Sequence, residues 1–255
     1  MSNRIFLINV GVNASHSAQS PIFPDGRFEF LPIPEEREWW SPPLPTYAKL
    51  ECFNQPGEPL TRYTTDRHRG IHVHNDPEFE TFTYGDNCAE SPRAAALAHV
   101  EQGDYLLFLA RLVNHVNGKF TKNAGFYFIG YIRVENILRN VRTFPFGSDF
   151  NIFGANAHIR RAIYHKKTLN GFCVFKGDAS SRRFEYAVPL DKGTANRLFR
   201  DAQGKPWTWN TRRSDLQTIG SYTRSCRCVL DPTNPDETER SLLLWDHIRA
   251  NNPGI

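Results

Sequence analysis

The sequence predicts an α+β fold, a single domain over residues 1–255 built on a mixed, mostly antiparallel sheet with helices at its flanks. Three observations carry this. Apolar runs of strand length recur along the chain, among them RIFLINVGV, DYLLFLARLV, FYFIGYIRVENIL and GFCVFKG. Polar turns, VNGKFTKNAG and GDASSR, join strands directly. Helical patterns are few, so strands outnumber helices by about seven to three or four.

The elements follow in order. RIFLINVGV is continuous and rich in β-branched residues, the pattern of a buried strand. It empties into NASHSAQSPIFPDG, a polar loop closed by a Pro-Asp-Gly turn. RFEFLPI alternates and predicts a second strand, ended by Pro32 and Pro34. The Pro-rich stretch after it reads as an irregular drape pinned by Trp39 and Trp40. From His72 to Glu80 a two-residue period predicts an extended segment, which Pro77 confines to a sheet edge or ends. AESPRAAALAHVEQGD fits a helix, with Ser91 as cap, Pro92 at the first helical position and Gly103 at the end. DYLLFLARLV and FYFIGYIRVENIL are strands about a long Gly/Asn-rich turn, and HIRRAIYHKK is a short basic helix. GFCVFKG and RFEYAVPL are two further strands. ETERSLLLWDHIRANN closes the chain as an amphipathic helix, with Leu242, Leu243, Trp245 and Ile248 on one face.

Composition narrows the classes. Apolar residues make up 40% of the 255 and aromatics 13%, an ordinary globular balance. No apolar run approaches the roughly 20 residues of a membrane span, and the opening run is too short for a signal peptide. Five cysteines without a CxxC motif favour a reduced, cytoplasmic compartment. The net charge of +4 hides a gradient, from −4 over residues 1–130 to +8 over residues 131–255. Part of the excess comes in pairs: Arg160-Arg161, Arg182-Arg183 and Arg212-Arg213. Such spots suit phosphates, and equally suit a soluble surface with uneven charge.

Chemistry concentrates in RGIHVHNDPEFETFTYGD. If extended, it sets His72, His74, Asp76, Glu78 and Glu80 on one face. That row suits a solvated edge strand. It also suits a divalent metal, because His74 and Asp76 have the HxD spacing of a two-His-one-carboxylate site, with His158 of GANAHIRR as third ligand. Fe(II) is the metal such a set would favour. The arginine that binds the cosubstrate of 2-oxoglutarate dioxygenases, about ten residues after the last ligand, has no counterpart, since Arg160 and Arg161 are too close. Without a metal, Glu80 is a candidate base beside His74 and Asp76. Asn13 and His16 leave the first strand in a loop that can hydrogen-bond a base or phosphate, or satisfy its own backbone. Tyr84, Trp207 and Trp209 offer π-faces; PWTW beside Arg212-Arg213 combines them with charge, and stacking is worth about 1–3 kcal/mol per base. No GxSxG, P-loop, GxGxxG, HExxH or zinc-finger spacing occurs.

Two resemblances join these residues. GDYLLFLARL followed by GFYFIGYIRV is similar to the strand pair of PUA-like domains, the superfold of ASCH, EVE and YTH modules, and implies a partly open β-barrel that holds modified or flipped bases. INVGVNASHSAQSPIFPDGRFEFLPIPE, HNDPEFETFTYGD, GDYLLFLARL and NAHIRR together resemble the third family of nucleotide modification associated domains, found in prokaryotes and phages near DNA-modification genes. That resemblance implies a role in making, reading or processing modified nucleotides, with nucleic acid, DNA above all, as partner and no membrane. Three readings follow. In the first, the protein binds a modified nucleotide, its phosphates held by Arg160, Arg161, Arg182, Arg183, Arg212 and Arg213. In the second, it is a metal-dependent oxygenase or hydrolase using His74, Asp76 and His158. In the third, it is a structural or partner-binding protein. Residue pattern leaves the oligomeric state open.

Overall fold

The computed structural model describes residues 3–201, 203–207 and 226–255. In chain order the strands are β1 (Ile5–Val10), β2 (Ser20–Ile22), β3 (Ile33–Pro34), β4 (Val73–His74), β5 (Thr83–Asp86), β6 (Tyr105–Val116), β7 (Lys119–Val141), β8 (Phe172–Gly177), β9 (Arg182–Pro189) and β10 (Arg227–Leu230). The α-helices are α1 (Ser148–Phe153), α2 (Ala157–Ala162), α3 (Lys192–Leu198) and α4 (Pro235–Asn251).

Eight strands form one mixed sheet in the order β10-β1-β6-β7-β8-β5. β2 continues β1 along β6, and β9 continues β8 along β7. β1 and β2 run parallel to β6, and the other pairings are antiparallel. The sheet is open, with β10 and β5 at its ends, and no barrel closes among the described residues. β1 explains its own sequence. Both of its edges are paired, and Ile5, Phe6, Leu7 and Ile8 are buried, so the run is apolar without alternation.

The β6–β7 hairpin is tighter than its sequence suggests. The expected ten-residue turn reduces to Asn117-Gly118, with φ of 50° and 76°, and the ladder resumes at Val116–Lys119. Two left-handed residues are what a two-residue hairpin requires, so the strand can continue through the polar FTKNAG. β7 then changes partner on one side, pairing with β9 near Gly130 and with β8 from Val134 onward. At Gly130 a Cβ would lie 2.6 Å from the Arg182 carbonyl oxygen, which is why the crossover needs glycine.

Three expected elements differ. The helix over AESPRAAALAHVEQGD is only a 3₁₀ segment, Ala95–His99. Ala94, Leu97 and Val100 are fully buried at a spacing of three, which matches the three residues per turn of a 3₁₀ helix rather than 3.6. In α4, Leu244 and Ile248 form the buried stripe at i,i+4, whereas Leu242, expected on that face, is 58% exposed. RFEFLPI pairs only through bridges at Arg27 and Phe28 before β3 begins. Phe28, Glu29, Phe30 and Leu31 are buried in succession, so this segment does not alternate.

Glu29 explains that exception and corrects the assignment of Arg183 to phosphate binding. The Glu29 carboxylate accepts the Phe53 and Asn54 backbone N–H groups, each at 2.8 Å, and lies 3.4 Å from Arg183 Nη2. The guanidinium lies between the rings of Phe28 and Phe53, at 5.1 and 3.8 Å, and burial lowers its pKa to about 10. Arg183 therefore fastens the 28–54 loop to β9. Arg183→Met is expected to destabilise the fold by about 3 kcal/mol, read from the denaturant midpoint, because it strands a buried carboxylate.

Candidate functional site

β3 and β4 form a separate two-stranded ribbon in which Ile33 faces His74. This pairing brings Glu35, just past β3, against the His74 ring: Nδ1 lies 2.8 Å from Glu35 Oε1. Beyond β4 the chain does not stay extended. A tight turn links Glu78 to Thr83, with the Glu78 carboxylate accepting the Glu80 and Thr81 N–H groups at 2.6 and 3.0 Å. The expected one-sided row is therefore broken. His74 and Asp76 stay together, His72 packs against Trp40 with ring centres 5.5 Å apart, and Glu80 is exposed on the turn and does not line the cavity described below. Glu80 is not positioned as a base.

α2 supplies the third member. Asn156 caps the helix, its Oδ1 accepting the His158 N–H at 3.0 Å, and its Nδ2 donates to Asp76 Oδ2 at 3.2 Å. One side chain thus sets the helix and the carboxylate together. The His158 ring packs on Phe172 of β8, ring centres 5.2 Å apart. Gly85 of β5 completes the frame. Its N–H donates to Asp76 Oδ2 at 2.9 Å, and a Cβ there would lie 2.8 Å from both Asn156 Oδ1 and His158 Cδ2.

The result is a triangle of ligand-type atoms. His74 Nε2 and His158 Nε2 are 3.2 Å apart, and each is 3.8 Å from Asp76 Oδ2. Among the described residues His74, Asp76 and His158 form the group able to hold a metal, their ligand atoms all within 4.8 Å of one another. With bonds of about 2.1 Å, ligands of one ion sit about 3.0–3.4 Å apart, so small side-chain adjustments close the triangle. Asp76 Oδ1 is buried without a hydrogen-bond partner, an orphaned atom that a cation would satisfy. Burial, His74 and Arg161 push the His158 pKa well below the usual histidine value, so its ring stays neutral. Burial raises the Asp76 pKa well above the carboxylate range, despite the hydrogen bonds from Gly85 and Asn156. Glu35 behind His74 is the carboxylate–histidine arrangement that orients metal ligands.

These groups sit on one side of a cavity of about 860 Å³. Asn13, His16, Tyr84, Trp39, Arg93, Asp86 and Arg161 also line it. The Asn13 N–H donates to His16 Nδ1 at 3.0 Å, so His16 keeps a proton on Nε2 as a donor. Burial lowers the His16 pKa, which keeps the ring neutral. Tyr84 O–H donates to Asp86 Oδ2 at 3.0 Å. Arg161 Nη1 lies 3.4 Å from Glu35 Oε1 and its guanidinium 6.0 Å from the Trp39 ring.

The sequence-predicted residues thus divide. Asn13, His16, His74, Asp76, Tyr84, His158 and Arg161 meet at the cavity. Arg182 is exposed and bonds the Ala179 and Ser181 carbonyls, and Arg160 does not line the cavity. Trp207 is a core residue, 1% exposed, packed on Phe199 at 4.8 Å, and offers no face to a base. Trp209, Arg212 and Arg213 lie outside the described residues. Glu35, Gly85, Asp86, Asn156 and Arg93 were not singled out for the site by sequence. Asn156 had a usable signal, a cap-type residue two positions before His158 at a helix start. Asn156→Ala is expected to weaken the fold by about 1–2 kcal/mol and to loosen any metal the triangle holds about 10–100-fold, measured by denaturation and metal titration of the same protein.

No helix among the described residues is long and apolar enough to cross a membrane. A family model described as nucleotide modification associated domain 3 matches residues 4–224. No curated protein and no solved structure matches the chain.

Proposed function

The chain belongs to the nucleotide modification associated domain 3 family, and from that membership and the cavity's geometry we propose that it is a metal-dependent enzyme acting on a nucleobase, with His74, Asp76 and His158 as ligands of a divalent transition metal. The observation that carries the reading is the buried triangle of two imidazoles and one carboxylate opening onto a cavity large enough for a nucleotide. Fe(II) suits this donor set, and a metal held on one side by three protein ligands supplies oxygen or hydrolytic chemistry at its open positions.

The chain's own residues define the rest. Glu35 holds the His74 ring and is itself neutralised by Arg161. Asn156 and Gly85 fix Asp76. The lining carries four carboxylates, Glu35, Glu36, Asp76 and Asp86, against two guanidinium groups, Arg93 and Arg161. A divalent metal on the triangle would balance this excess of carboxylates, so hydrogen-bonding groups rather than net charge select the occupant. Asp86, braced by Tyr84, accepts from an amino or ring N–H group, and His16 Nε2–H donates to a carbonyl.

Anaerobic titration with Fe(II) or Co(II), followed by isothermal calorimetry, tests the centre. One equivalent is expected to bind the parent protein, and none His74→Ala. Parent protein that binds no metal, or His74→Ala that binds as well, would overturn the proposal. Incubating oligonucleotides of varied bases with and without Fe(II), then weighing the products, identifies the reaction.

A further inference from the structure

α2 has two sides. His158 and Arg161 line the cavity, while Ile163 and Tyr164, at the helix end, are 42% and 58% exposed. The next residue, His165, meets the Trp39 ring edge-on at 5.8 Å, and Trp39 lines the cavity. The surface past α2 is therefore continuous with the cavity rim. Lys166 and Lys167 follow, both exposed. Phe146, just before α1, is 78% exposed and Phe150, within it, 38%, both in ring contact with Phe144 at 5.6 and 5.7 Å.

This concentration is not what an idle surface shows. Four of the seven large hydrophobic side chains exposed among the described residues, Phe146, Phe150, Ile163 and Tyr164, fall in one stretch of 19 residues. The same region, residues 142–170, carries five Lys/Arg and one acid, Asp149. Exposed rings interleaved with cations fit a polyanion whose bases are free to stack. A duplex would offer them only backbone and base edges.

α1 and α2 pack on one small core through Phe153 and Ile159, and we infer that Phe146, Phe150, Tyr164, Arg160, Lys166 and Lys167 around them bind a nucleic-acid single strand, stacking bases that flank the one delivered to the cavity. This rests on the reading of the cavity as a nucleobase site and adds that the substrate base lies within a strand rather than in a free nucleotide. Extruding a base from a duplex is disfavoured by a few kcal/mol, which a strand already unpaired avoids.

Fluorescence anisotropy with a labelled 12-nucleotide single strand, its duplex and a deoxynucleoside monophosphate, at several salt concentrations, tests it. The single strand should bind at least about tenfold more tightly than the other two. Phe146→Ala/Tyr164→Ala is expected to lose about tenfold or more. Lys166→Glu/Lys167→Glu should reduce the slope of log affinity against log salt by about 1.4 or more. Co(II) binding, which reports on the metal centre, should be unchanged in both, so failure here and failure of the metal proposal are separable. Equal affinity for duplex or mononucleotide, or undiminished strand binding by both variants, overturns the inference. Should either variant fold poorly, photocrosslinking of a 5-iododeoxyuridine strand to the parent protein decides: adducts on Phe146 or Tyr164 support the surface, and adducts only elsewhere refute it.

Discussion

Asp76→Asn is expected to abolish metal binding while leaving the metal-free protein as stable as its parent or more so. The two effects have one cause. Asp76 is buried, and nothing within hydrogen-bond reach of its Oδ1 compensates the loss of water. Its other oxygen accepts from Gly85 and Asn156, and an asparagine amide oxygen can accept the same two bonds. The substitution thus keeps the hydrogen bonds and removes the group that burial opposes most. A metal reverses the balance. At a concentration 100 times its dissociation constant it adds about 2.7 kcal/mol to the folded state. For a chain of this size that corresponds to roughly 5–10 °C in Tm. Thermal scans with and without Co(II) should therefore show a metal-dependent rise for the parent and none for Asp76→Asn. A variant that melts well below its parent without metal would make Asp76 a structural residue and not a ligand held in waiting.

The same contrast explains what could be read from the sequence. Strands covered on both faces announce themselves by unbroken apolar runs, as in β1 and β6, whose successive residues are buried. The HxD spacing of His74 and Asp76 is local, so residue pattern is enough to suggest it, and His158 stood out as a histidine at the start of a basic helix. Glu35 did not stand out, because only the β3–β4 register places it beside His74, 39 residues away. Glu80 misled for the complementary reason. A period of two holds only while the chain stays extended, and Glu78 closes a turn that rotates Glu80 into solvent. Arg183 misled because charge alone does not reveal burial; its carboxylate partner lies 154 positions away. Doublets of arginine look alike in a sequence whether they face phosphate, water or a buried glutamate.

The largest effect on stability is expected at Asp104, a residue remote from the chemistry. It is fully buried at the start of β6 and collects donors from two parts of the chain. Arg4 gives its backbone N–H to Oδ1 at 2.9 Å and its Nη2 to Oδ2 at 2.7 Å, and the Glu101 N–H reaches Oδ2 at 2.8 Å. The same guanidinium donates to the His99 carbonyl at 2.7 Å. One carboxylate therefore joins the beginning of β1 to the turn that launches β6, and sets the parallel register that runs from Ile5–Tyr105 to Val10–Ala110. Asp104→Ala leaves two backbone donors and a guanidinium without their acceptor, and should destabilise the fold by about 3–5 kcal/mol, a large share of the 5–15 kcal/mol typical of a domain. In Arg4→Met the carboxylate keeps both backbone donors, so a smaller loss is expected, and the double variant should lose less than the two single changes summed. Equilibrium urea denaturation measures all three. His74, Asp76 and His158 stand on other elements, so the folded fraction of Asp104→Ala should bind Co(II) with the parent's affinity. An Asp104→Ala protein of undiminished stability but weakened metal binding would mean that the register of β1 on β6 is held by something else, and that this carboxylate serves the cavity.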